Sequence, residues 1–352
     1  MAQNSLNLGP VRGQAGAPVK EQSYWRSVAA KLWRDKITVA AMGILLVMVL
    51  LALGAPWVAT YGLGFSPTIT SLRERNDPPT WAASAWPKFQ EFTRSCHRPT
   101  GCEWSLWRVI GADTTTGLVN CWRAGLGHCH WMGTDQAGRD VLTRGFYGGR
   151  ISLRIGFWVA AVAMSLGVVM GLISGYYAAT AIDDLVNAII MIFESIPTLF
   201  LLIILSHLFQ PGPEGLAILL GLFGWTGTSR LLRGQIFVLR EREFIVASRA
   251  VGSTSWRIIG NHIFPNVASL VIVAAVFEVA GAILVEAGLS YLGVGIGPPL
   301  ASWGNMMQGS LGNFTDAPWL VLAPGSFIFL TTLAIYLIGD GLRDALDPWI
   351  KQ

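Results

Sequence analysis

Charge is scarce in this sequence: Asp, Glu, Lys and Arg make up 13% of 352 residues, against about 25% in an ordinary soluble domain. With 52% of the chain hydrophobic, that shortage excludes a water-soluble globular fold and indicates a membrane protein. Lysine is rare, and none of Lys20, Lys31, Lys36, Lys88 or Lys351 follows a glycine. A P-loop needs that Gly-Lys pair, because backbone N–H groups and the lysine cradle nucleotide phosphates together. The chain therefore carries no P-loop ATPase site. A G-x-S-x-G elbow and an H-E-x-x-H pair are also missing, which removes two common hydrolase signatures. The net charge of +4 is small, and no nucleic-acid partner is expected. No cleavable signal peptide is expected either, since the first apolar run begins well inside the chain without a cleavage site behind it. Cysteine is confined to one hydrophilic segment, as Cys96, Cys102, Cys121 and Cys129.

What the chain does have is long apolar runs. Residues 1–19 have the Gly-, Asn-, Gln- and Pro-rich composition of a disordered tail. In residues 23–36, Arg26, Lys31, Arg34 and Lys36 lie beside Trp25 and Trp33, the pattern of an interfacial helix resting on membrane lipid. Residues 37–58 are long enough to span, because about 20 apolar residues cover the hydrocarbon core. Further spans are expected at 152–177, 185–208, 215–229, 267–287 and 319–337 within a core of 131–352. Gly156, Gly167, Gly171 and Gly175 in the second would let helices approach closely. The expected fold is all-α, with six transmembrane helices.

Residues 59–130 form a hydrophilic insertion between the first two spans, too small for a generous core. Disulfides would help it fold; Cys96–Cys102 with Cys121–Cys129 is one of three possible pairings. A zinc site with His97, His128 and His130 is the rival, although the spacings do not follow a C-x₂-C pattern.

The most distinctive stretch is polar and basic, at about 236–266, between two apolar runs. Arg230, Arg233, Arg240, Arg242, Arg249 and Arg257 crowd it and its upstream flank. An arginine at a bilayer centre costs roughly 2.5–3.5 kcal/mol, so this stretch is expected to project into water. Ala247 to Val251 read as helix, Gly252 as a turn at positive φ, and Ser253, Thr254 and Ser255 as caps for a second short helix near Trp256. Pro265 is expected to close the unit. One reading is a solvated loop whose arginines fix orientation. The other is a docking helix with Trp256, Ile258 and Ile259 as apolar anchors and Arg257 as a charged contact on a soluble partner. The loops at 210–213 and 295–318 contain no Lys or Arg, so the positive-inside rule places the hairpin and both termini in the cytosol.

This stretch resembles the EAA loop of permeases in ATP-binding-cassette importers. Ala247, Gly252 and Pro265 match the pattern, whereas Val246 replaces the namesake acid and Ser248 the second alanine. Gly133-Thr134-Asp135, Gly138-Arg139-Asp140, Tyr147-Gly148 and Arg150-Ile151-Ser152 are similar to the oligopeptide and dipeptide permease family, as are residues 286–307 and the carboxyl-terminal LRDALDPW. The match runs from about His130 to the end and leaves the insertion unexplained. It implies a transport subunit rather than an enzyme, with no catalytic residues and no cofactor of its own. It further implies two ATP-binding subunits that hold ATP and magnesium and dock on the hairpin through Ala247, Arg249, Gly252, Trp256, Arg257, Ile258, Ile259 and Pro265. A second permease chain and an extracytoplasmic binding protein complete the implied assembly. The implied cargo is di- or oligopeptides, with nickel chelates or oligosaccharides as the alternative.

Ionisable residues within spans are functional candidates. Glu194 stands one turn beyond the position, here Met191, where the family often has an acid. Glu278 and Glu286 are eight residues apart, within reach of one helix face, and are candidates for lining or gating a path. His207 and Asp340 lie near span ends, where an interfacial role suffices. Ser206 beside His207 and the Cys/His cluster are the only support for a remote alternative, an intramembrane hydrolase.

Overall fold

A computed structural model describes residues 24–58, 65–68, 75–80 and 130–346, and its regular elements there are helices. Helix α1 (Tyr24–Arg34) is amphipathic and meets α2 (Lys36–Leu53) at Asp35, whose carboxylate accepts from Ile37 N and Thr38 N. The hydroxyl of Thr38 also donates to it and holds its pKa below the usual carboxylate range. A one-turn helix, α3 (Ala55–Trp57), follows.

Helix α4 (Val141–Tyr176) runs for 36 residues, about 54 Å at 1.5 Å per residue, well beyond a hydrocarbon core of about 30 Å. It starts eleven residues earlier than the expected 152, so the helix is longer than the apolar run within it. Asp140 caps that start by accepting from Thr143 N at 2.7 Å. Gly145, Gly148 and Gly149 then let the early turns close on Phe327 and Trp303.

The third expected span is not one helix. Helices α5 (Ala181–Ser195) and α6 (Thr198–Phe209) are bent by 75° across Ile196-Pro197. Ile196 is extended, at φ −100° and ψ 125°, as steric contact with a following proline ring favours. Helix α7 (Pro213–Leu239) runs ten residues past the expected 229 and carries Arg230 and Arg233 within it. The glycines at 167, 171 and 175 recur every four residues and lie on α7. A Cβ added there would come within 2.7–2.8 Å of Thr228, Leu232 and Ile236 respectively. Gly156 instead faces Ile283 of the next long helix.

After the hairpin helix α8 (Glu243–Ala250) come α9 (Ser255–Ile258), a π-helical turn at Ile259–Ile263, and α10 (Phe264–Tyr291). These last three form one continuous 37-residue run. Pro265 therefore does not close the hairpin, contrary to expectation. It lies in the first turn of α10 just after the wider π turn, where its missing N–H removes little from the helical ladder. Short α11 (Trp303–Met306) and long α12 (Trp319–Leu346) complete the chain. Among the described residues, five helices are long and apolar enough to cross a membrane, or six spans if the bent pair is one.

The helix ends sort to two sides of the bundle. Thr38 of α2 meets Gly341 of α12, Tyr176 of α4 meets the hairpin, and α1 packs Val28 with Val273, Ala345 and Leu346. The first helices, the hairpin and the end of α12 thus occupy one end of the bundle, hereafter the hairpin end. At the far end, Thr80 N donates to His130 O (3.0 Å) and His130 N to Thr80 Oγ1 (2.9 Å), so the chain leaves and re-enters at one point. His130 also pairs with Asp140 (2.9 Å) and stacks on Phe65. Cys96, Cys102, Cys121, Cys129, His97 and His128, with their proposed pairings, lie outside the described residues.

Candidate functional site

The hairpin has a buried root and an exposed tip. Ile245, Ile258 and Ile263 are fully buried and Ile259 nearly so, in a cluster with Tyr176, Leu232, Ile236 and Val267. Burying a side chain of this size stabilises by about 1.5–3 kcal/mol, so the root is held as firmly as an ordinary core. This corrects the reading of Ile258 and Ile259 as anchors for a partner: both face inward. The spacing of Ile258, Ile259 and Ile263, continuing to Val267, carried that signal as one stripe of a continuous helix.

The tip is formed by the turn between α8 and α9. Gly252 N donates to Arg249 O and Ser253 N to Ser248 O, closing α8 with Gly252 at φ 88°. That is a left-handed position, and glycine occupies it without Cβ strain. Thr254 takes the N-cap position of α9, although its side chain makes no cap hydrogen bond. Val251 and Trp256 are 88% and 69% exposed, and Phe244, Val246 and Ala247 are exposed with them. Val251, Phe244 and Val246 were not anticipated, since nothing in a short polar stretch says which apolar residues its own core leaves outside.

The arginines divide into two groups. Arg233 makes two 2.7 Å hydrogen bonds to Asp183 of α5, and Arg230 pairs with Glu194. Arg240 donates to Tyr176 O and Ala178 O and lies over Phe237. These three tie the hairpin's base to neighbouring helices. Arg242, Arg249 and Arg257 remain on the surface, Arg249 with its guanidinium 5.7 Å from the Tyr176 ring. The result is a firmly seated, cationic tip with exposed apolar side chains, Val251 and Trp256 foremost.

The acidic candidates have different surroundings. Glu286 is fully buried at the far end, accepting from Ser152 Oγ (2.9 Å) and Ser290 Oγ (2.7 Å). The same Ser152 oxygen accepts from Trp303 N, and Trp303 Nε1 donates to Gly145 O. The two far-end stretches singled out in the sequence, 130–156 and 286–307, are therefore one interlocked unit. Glu278 is half-buried and lies over Gly224 of α7. Glu194 is engaged by Arg230. Among the described residues no group of three metal-ligating side chains converges. His207 is exposed, whereas the neighbouring Ser206 is buried.

Comparison with known proteins agrees with this arrangement. A family model described as binding-protein-dependent transport system inner membrane component matches residues 167–352. A second, the N-terminal TM domain of oligopeptide transport permease C, matches residues 23–79. The dipeptide transport system permease protein DppC of Alkalihalophilus pseudofirmus is 41% identical over 223 residues, 63% of this chain and 73% of that protein. The oligopeptide transport system permease protein OppC of Bacillus subtilis is 38% identical over 223 residues, 63% of this chain and 73% of its own. OppC of Haemophilus influenzae is 33% identical over 327 residues, covering 93% of this chain and 89% of that one. The chain belongs to the family of binding-protein-dependent transport system inner membrane components.

Proposed function

We propose that this chain is the permease subunit of an ATP-driven importer that carries di- or oligopeptides across the cytoplasmic membrane. The observation that carries this reading is the hairpin: a root locked into the bundle and a protruding cationic tip, Val251, Trp256 and Arg257, on a chain without a P-loop. A firmly seated lever transmits force into the helices it is continuous with, and α9 continues through the π turn into α10. Two ATP-binding subunits that hold ATP and magnesium would grip this tip and that of a second permease chain. Their closure would rock the spans between inward- and outward-open states. This chain binds no cofactor in that scheme.

The hairpin end faces the cytosol in this reading, together with both termini. The exposed arginines of the tip support that direction, and the common location of α1, the hairpin and the end of α12 makes it one choice rather than three. Residues 59–130 are then extracytoplasmic, on the side where a binding protein delivers cargo. Peptide cargo rests on the names of the relatives; nickel chelates and oligosaccharides are the alternatives within the same scheme.

The test is reconstitution with the cognate ATPases and binding protein in proteoliposomes. The pair Trp256→Ala and Arg257→Glu should abolish ATP-coupled peptide uptake while membrane insertion stays normal. Uptake at the wild-type rate would remove the docking role from the tip.

A further inference from the structure

Two cavities meet at Arg150 and Arg154 of α4. One is an apolar groove of about 680 Å³ between α2, α4, α10 and α12, lined among others by Leu45, Val49, Phe157, Val279 and Ile338, with both arginines at its far-end limit. The other, of about 330 Å³, is lined by the same two arginines together with Pro67, Thr68, Tyr147 and Leu300. Arg154 pairs with Glu214 at 3.0 Å. Arg150 is exposed and meets no carboxylate at ion-pair distance among the described residues. Where the two cavities join, one positive charge is left uncompensated among the described residues.

We propose that this junction binds an anionic phospholipid, with one acyl chain in the groove and the phosphate between Arg150 and Arg154. A phosphodiester with one net negative charge matches the one uncompensated guanidinium, and Arg–phosphate contacts are strong and directional. The groove supplies what an acyl chain needs, an apolar lining inside the membrane. An arginine that merely snorkels to water would explain Arg150 alone. It would not explain two separate cavities, each with an apolar lining, that share the same guanidinium pair. A wholly apolar partner helix would fill the groove but leave the charge unmatched. The inference depends only on the chain's residence in a membrane and not on its cargo or motor.

The experiment uses the full chain with its co-purifying subunits, exchanged into nanodiscs of phosphatidylglycerol or phosphatidylcholine and examined by native mass spectrometry. The wild type should retain a phosphatidylglycerol through collisional activation that removes phosphatidylcholine. Arg150→Gln should lower that retention about tenfold, and Arg150→Lys should keep most of it. Val49→Trp, which fills the groove, should release both lipids. Three results would each overturn the proposal: no retained lipid in the wild type, unchanged retention in Arg150→Gln, or efficient cross-linking of Val49→Cys to another protein subunit in native membranes.

Discussion

Glu286 shows how much a single buried carboxyl group can organise. Ser152 from α4 and Ser290 from α10 both donate to it, and Ile296 N donates in turn to Ser290 Oγ. Leaving such a group unsatisfied costs about 1–3 kcal/mol, and here two hydroxyls lose their acceptor together. Glu286→Leu is therefore expected to lower the thermal midpoint of the purified protein by several degrees. Glu286→Gln, which keeps an acceptor, should lose much less and retain peptide uptake. A stable Glu286→Gln variant that no longer transports would instead make this residue part of the cargo's path. The glycines of α4 are a second residue-scale case. Gly171→Val would drive a side chain into Leu232 and the Ser229 carbonyl, where even a Cβ comes within 2.9 Å. It should abolish monodisperse protein in detergent extracts on size exclusion, whereas Gly227→Ala, in open space, should not.

At the scale of the element, root and tip of the hairpin should respond differently to the same chemistry. Ile258→Asp places a charge in the cluster of Tyr176, Ile236 and Ile245, an uncompensated burial of several kcal/mol. Limited proteolysis within 240–258 should then accelerate strongly. Trp256→Asp changes an exposed side chain and should leave the proteolytic pattern as it is while reducing coupling to ATP. Equal protection of both variants would contradict the buried root. Gly252 stands between the two helices at φ 88°, where a Cβ costs about 1–2 kcal/mol. Gly252→Ala should weaken coupling in part, and Gly252→Pro, whose ring fixes φ near −65°, should remove it.

For the molecule as a whole, the arrangement of ends can be tested without knowing the cargo. In a cysteine-free background, Ser253→Cys on the hairpin should react with an impermeant thiol reagent only from the cytosolic side, and Thr68→Cys only from outside. The opposite result would invert the bundle and end the importer reading. In the native chain, Thr80 and His130 are hydrogen-bonded to each other, so the stretch between them begins and ends at one point, where inserted sequence is tolerated. Its four cysteines should be blocked to thiol reagents in non-reduced cells if they are paired; free thiols would favour the metal alternative.

The sequence by itself determined the class of this protein: its charge scarcity and apolar runs require a helical bundle in a membrane. It also located the polar hairpin, the turn at Gly252 and the glycine spacing of α4, because each depends on neighbours along the chain. It misjudged where helices stop. Hydropathy marks what lipid tolerates, whereas α4 and α7 extend beyond that limit on capping, glycine packing and ion pairs with other helices. The inward turn of Ile258 and Ile259, the burial of Glu286 against Ser152 and the meeting of two cavities at Arg150 were decided only by tertiary structure. Each is a contact between residues distant in the chain, and local pattern carries no term for a neighbour that folding alone supplies.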